Sequence, residues 1–156
     1  MKSIFFTISL VLVTLVACNS SKQDDSPNAD KTKSAQKDTT SIVEEHPGVY
    51  FINLHDSEKV KSPLIVQMGV VGMMVEPAGQ IRKDMGHHHL IIDGTFTEKG
   101  QMVPKDATHL HFGKGQTIDT LQLAPGNHTL TLQFANGAHE SYGKEWSKTI
   151  SVFVSK

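Results

Sequence analysis

Seven of the nine histidines in this chain fall within the 53 positions from His87 to His139. Two pairs share the spacing His-x-His, His87-His88-His89 and His109-Leu110-His111. On a strand, alternate residues point to the same face about 6.5–7 Å apart, and facing residues on paired strands sit ~5 Å apart. Two such pairs on neighbouring strands would make a grid of four imidazoles able to close on one ion at about 2.0 Å each. His128 and His139 stand at the beginning and just beyond the end of another apolar run, and either could complete the set from a loop. The candidate metal ligands are therefore His87, His89, His109, His111, His128 and His139. The alternatives are a hydrogen-bonded structural cluster and a pH-responsive or ligand-contacting surface.

Asp93 and Glu140 are the nearest acids, as ligands or as partners that fix an imidazole tautomer. Imidazole donors suit Zn²⁺, Cu²⁺ or Ni²⁺, whereas Ca²⁺ and Mg²⁺ would need an oxygen-rich loop that is missing here. Copper and zinc are the expected cofactors. Met68, Met73, Met74 and Met85 precede the histidines, and thioether sulfur favours Cu⁺. Met68 fits an inward strand position and reads as core, while Met73 and Met74 flank a glycine where one of them must face away.

The elements that must carry these residues read as β throughout. Apolar or alternating runs occupy 49–54, 64–75, 87–93, 107–112, 118–123, 128–134 and 148–154. Turn chemistry separates them at Pro63, Pro77-Ala78-Gly79, Asp93-Gly94, Gly113-Lys114-Gly115, Pro125-Gly126 and Asn136-Gly137. No segment keeps a 3.6-residue period for three turns, so the expectation is all-β: an antiparallel immunoglobulin-like sandwich of about seven strands. Alternation sends Leu130, Leu132 and Phe134 inward, with His128 on the same side, and Ile150, Val152 and Val154 inward from the last strand. Leu110 and Phe112 inward send His109 and His111 to the opposite face. His88, Leu90 and Ile92 inward would send His87 and His89 to it as well, while the reverse assignment, with His88 outward, fits the alternation nearly as well.

This order of motifs, from Gly72-Met73 and Pro77-Ala78-Gly79 through Gly86-His87-His88-His89-Leu90-Ile91-Ile92-Asp93, His109-Leu110-His111-Phe112-Gly113-Lys114-Gly115 and Pro125-Gly126-Asn127-His128, resembles a family of exported bacterial domains, domain of unknown function 4399. The resemblance runs from Val49 to Val154. The positions that match its pattern are His87, His88, His89, His109, His111, His128 and His139, and it implies no particular activity.

Ahead of the domain, Lys2 and an apolar run from Ile4 to Val16 read as an export signal, too short for a spanning helix. Leu15-Val16-Ala17-Cys18 resembles a bacterial lipobox, so residues 1–17 are expected to be removed and Cys18 lipidated. That uses the single cysteine and excludes an internal disulfide. Residues 18–43 then form a polar tether of about 25–30 Å reach, and 44–156 the folded domain. The expected location is the cell envelope, with the membrane engaged through lipid at the outer membrane, on its periplasmic or its outer side.

Fifteen basic against sixteen acidic residues, without a basic run, leave no footprint for nucleic acid. No G-x-S-x-G elbow, free thiol or H-E-x-x-H helix supports hydrolysis, and blue-copper electron transfer would need a cysteine ligand. The expectation is a non-enzymatic, lipid-anchored domain binding copper or zinc for storage, delivery or sensing. A zinc hydrolase with Asp93 or Glu140 as base is the enzymatic alternative. A structural or adhesive sandwich contacting an envelope protein or a glycan is the other, with Tyr142 and Trp146 as candidate stacking rings.

Overall fold

A computed structural model describes residues 46–156. The export signal, Cys18 and the tether lie outside the described residues.

The strands are β1 (Gly48–Phe51), β2 (Glu58–Lys61), β3 (Leu64–Val71), β4 (Met74–Val75), β5 (Met85–Ile92), β6 (His109–His111), β7 (Ile118–Leu121), β8 (Gly126–Ala135) and β9 (Ser147–Ser155). One 3₁₀ turn, Lys144–Trp146, precedes β9. They form two sheets: β1-β3-β7, and a six-stranded sheet in the order β2-β9-β8-β5-β4 with β6 also pairing β5. Between the sheets the inward residues interlock, Val49, Phe51, Val66, Met68 and Leu121 from one and Leu90, Leu130, Leu132, Phe134, Ile150, Val152 and Val154 from the other. The fold is an all-β sandwich. Burying each of these large side chains contributes roughly 1.5–3 kcal/mol before chain entropy is charged against it.

The expected runs all yield strands, and two refinements have physical causes. The run 64–75 divides because Gly72 takes φ 88°, a left-handed backbone that turns the chain between β3 and β4. β2 escaped the pattern because only Val60 of Glu-Lys-Val-Lys is buried. β2 pairs parallel with β9, and β4 parallel with β5, so the second sheet is mixed and the strand count is nine.

The face of β5 and β8 directed away from the core is not solvated, contrary to the expected outer surface. Ile91, Thr131 and Gln133 on that face are as buried as the core. Residues 94–105 cross over it. Thr131 Oγ1 donates to Gly94 O at 2.9 Å, the Thr97 N–H donates to Gln133 Oε1 at 3.1 Å, and Ser141 Oγ donates to Thr97 O at 2.7 Å. The Gln133 amide donates onward to the carbonyls of Phe134, Gly143 and Trp146, so Thr131 and Gln133 on this buried face are hydrogen-bonded rather than orphaned.

Candidate metal centre

β5 lies between β8 and β6, and register decides which histidines meet. His89 faces His111 on β6 and Gln133 on β8, while His88 faces Phe134 and Leu90 faces Leu132. His87, His89 and His111 therefore share the face beneath the crossing loop, and His88 turns to the core, its ring centroid 5.0 Å from that of Phe134 in an edge-on arrangement. Alternation alone permits either division of faces, and the register selects this one.

Ring nitrogens from His87, His89 and His111 all lie within 4.8 Å of one another. The three ring centroids are 4.9–5.1 Å apart. His89 Nε2 is 3.1 Å from His87 Nε2. His139 reaches in from the loop after β8, its Nε2 3.0 Å from His111 Nε2 and its ring 5.1 Å from His87. Four ligands at 2.0–2.1 Å on a tetrahedral ion would stand roughly 3.3 Å apart. The observed nitrogen separations are close to that edge, and they also suit imidazole-to-imidazole hydrogen bonds.

The local sequence explains how each ring is aimed. Asn136 ties the loop that carries His139: its Oδ1 accepts from the N–H groups of Ala138 and Glu140 at 2.9 and 3.0 Å. His139 itself adopts φ 69°, a left-handed conformation in which histidine is enriched among non-glycine residues. The Val103 N–H then donates to His139 O at 2.9 Å and fixes the loop to the crossing segment. Beneath His111, Gly113 leaves the space its ring occupies, since a Cβ there would stand 2.2 Å from the His111 Cε1 and Nε2 atoms.

Electrostatics favour the neutral form of His87, His89 and His111. Burial, followed by the repulsion of His111, His139 and His88, lowers His87 to about 4. Burial, then His87, His111, His139 and His109, lowers His89 to about 3. His111 is lowered too, by burial, His139 and Lys105. At neutral pH these rings offer lone pairs, the form that binds a metal. The buried Nδ1 atoms of His87 and His89 meet no hydrogen-bond partner, so packing and neighbouring rings hold them where carboxylates commonly do.

Two proposed ligands stand elsewhere. His109 shares the face but turns to Asp106, with Nδ1 2.9 Å from Asp106 Oδ1, whose carboxyl is held low by that hydrogen bond. His128 belongs to the core-directed set of β8, five residues and about 17 Å along the strand from Gln133. Its Nδ1 meets Asp93 Oδ2 at 2.9 Å and its Nε2 meets Ala124 O at 3.0 Å. The two acids are also engaged away from the cluster, Asp93 by His128 and the Thr129 N–H, and Glu140 by the Asn136 amide. Of the four methionines weighed, Met68 is core and Met73 packs against it, while Met74 is exposed. Tyr142 and Trp146 pack against the core beside Phe134, and Tyr142 donates to Met85 O at 2.7 Å.

Sequence reasoning missed residues 102–105. With His89, His111 and His139 they line a cavity of about 360 Å³ beside the imidazoles. The segment shows no strand alternation, so only its position between the two histidine runs could have pointed to it.

Residues 66–155 match the family described as Domain of unknown function (DUF4399). No curated protein and no solved structure matches the chain. The match covers more than half of the sequence, from within β3 to the end of β9 and including all four clustered histidines, and the chain belongs to that family.

Proposed function

We propose that this protein binds one transition metal ion, copper or zinc, through His87, His89 and His111 with His139 as the fourth ligand. We read it as a lipid-anchored protein of the bacterial cell envelope that stores, delivers or senses the ion. One observation carries the reading: two buried imidazoles of β5 and two half-buried ones from β6 and a loop converge with their nitrogens 3.0–3.1 Å apart in contacting pairs, without an acid among them. Neutral nitrogen donors in such a set suit Cu²⁺ or Zn²⁺ over hard oxygen-seeking cations. A hydrogen-bonded cluster alone would leave buried Nδ1 atoms unmatched, at roughly 1–3 kcal/mol each, with no ion to offset the cost. The acids that could serve a zinc hydrolase as base are occupied by His128 and Asn136, which favours a binding role over catalysis.

The test is metal content by mass spectrometry, with titration of Zn²⁺, Cu²⁺ and Cu⁺ near neutral pH. It uses the full chain without a histidine tag, carrying Cys18→Ser so that no thiol contributes. One ion per chain, bound below micromolar and lost in His89→Ala, is the expected result. Absence of stoichiometric binding would sink the reading.

A second reading rests on the outer side of the β1-β3-β7 sheet, where Tyr50, Ile52, Ile65 and Ile118 are all about half exposed. Such a patch fits contact with an envelope protein. Ile65→Lys should then abolish a specific cross-link formed in cells, and an unchanged cross-linking pattern would remove this reading.

A further inference from the structure

The cavity beside the cluster is 360 Å³, within the range of small-molecule sites. It is lined by three of the four imidazoles and by Met102, Val103, Pro104 and Lys105. Its protein lining divides into a nitrogen-rich side, an apolar side and one ammonium group. Charge balance adds a direction. Four neutral imidazoles leave the full charge of a divalent ion uncompensated, Lys105 adds another positive charge, and the cavity is lined by no acid.

We propose that this cavity binds a small organic anion, a short aliphatic carboxylate in class. Its head lies toward the metal and Lys105, and its tail lies against Met102, Val103 and Pro104. This rests on the metal reading above and deepens it: the ion is presented to an exogenous ligand instead of being sealed away. Zinc sites held by three protein ligands keep a position open to an exogenous one, and His87, His89 and His111 form such a trio, so an anion can enter beside or in place of the loop-borne His139. The carboxylate supplies the missing negative charge. The apolar residues set a preference for an alkyl tail over a bare anion, because a tail removes their surface from water.

The crossing segment is held so that these residues stay in place. Val103 is buried and its N–H donates to His139 O at 2.9 Å, while Met102 pairs with Glu140 in an antiparallel bridge. Lys105 and Met102 remain exposed at the same cavity, open to an incoming molecule.

Cobalt(II) reports the test, because its visible absorption changes with coordination. The full tag-free Cys18→Ser chain is loaded with Co²⁺ and titrated with acetate, butyrate and butylamine. Butyrate is expected to shift the Co²⁺ bands saturably and to bind more tightly than acetate, while butylamine at equal concentration leaves them unchanged. Lys105→Ala should bind Co²⁺ as the parent does and butyrate about two- to fivefold more weakly. Met102→Asp should weaken butyrate more than acetate. If Co²⁺ binds but butyrate leaves its bands unmoved, the anion site is overturned and the metal centre stands. Equal butyrate affinity in Lys105→Ala overturns the charge pairing that defines the proposal. If Co²⁺ does not bind at all, both readings fall together.

Discussion

Two groups of histidines sit at opposite ends of the same pair of strands and behave in opposite ways. Near the start of β5, His87 and His89 meet His111 and His139, rings against rings, and burial with mutual repulsion drives His87 and His89 far below the ordinary imidazole range. At the other end His128 meets a carboxylate. The Asp93 hydrogen bond raises His128, although burial opposes it. For Asp93 itself, burial would raise the carboxyl, but the bonds from His128 and Thr129 prevail and lower it. The residue type is shared and the partner differs. An imidazole with an acid beside it is satisfied by its own chain, whereas imidazoles with only one another keep their lone pairs for something else.

The largest separation between the two groups should appear in metal affinity. Structural zinc sites bind with about 10–16 kcal/mol, so one of four ligands carries roughly 3–4 kcal/mol. His89→Ala or His111→Ala is therefore expected to weaken binding several-hundredfold, measured by competition with a chelator of known affinity. His128→Ala should leave affinity within about threefold. Equal losses from both groups would break the distinction.

Acid should separate them next. A buried histidine whose folded pKa lies below 6.5 is protonated more readily in the unfolded chain, so its full stabilising contribution holds above pH 6.5 and is lost as pH falls toward the folded value. His88, lowered to about 4 by burial alone, accounts for about 3 kcal/mol by pH 4. Its two ring nitrogens are buried without partners on the core face. His88→Leu is expected to keep or raise stability at pH 7 and to remove that part of the acid loss, read by urea unfolding of the metal-free protein at both pH values. A variant as acid-sensitive as the parent would exclude His88 as the cause.

Much of this comparison could be read before any coordinates. Alternation in Leu130-Thr131-Leu132-Gln133-Phe134 assigned the faces of that strand, and the His-x-His spacing offered His87, His89 and His111 as one set, with His88 outward as the competing choice that alternation alone does not decide. What failed was information that periodicity does not contain. His128 sits at an inward position of its strand, but its distance from the cluster depends on the register of β8 against β5. His109 has the right face and was lost to Asp106, a competitor three residues away. The covering of the outer face by residues 94–105 was illegible because loop placement follows from hydrogen bonds such as Thr97 to Gln133, whose partners are 36 residues apart.

A subtler probe moves a ring without removing it. In Gly113→Ala the new methyl would meet the His111 imidazole at 2.2 Å, so the ring has to swing away from His89 and His139. Gly113 lacks a positive φ that would forbid alanine, which isolates the steric effect from backbone strain. Misplacing a ligand in this way is comparable to losing an orienting partner, about tenfold in affinity at the low end. Affinity should fall by that factor while the pH dependence of unfolding stays near that of the parent. An unaltered affinity would show that His111 does not hold the ion in this orientation.

The smallest effect belongs to the far end, and its sign is the informative part. The His128–Asp93 pair is partly exposed, with the His128 side chain at 15% and Asp93 at 52%, so solvent screening limits it to about 1 kcal/mol. A raised imidazole contributes stability that is present below 6.5 and is lost as pH rises through the folded value. The lowered Asp93 contributes stability that is present above 3.8 and is lost as pH falls. Both partners are charged between those limits, so the pair stabilises most in the very window where the buried cluster loses ground. His128→Ala is expected to cost its full amount at pH 5.5 and less at pH 8, measured by urea unfolding at each. A cost that grew toward pH 8 would mean that His128 acts as a neutral imidazole. The two ends of the strand pair would then differ in burial and in the type of partner, not in the charge of the ring.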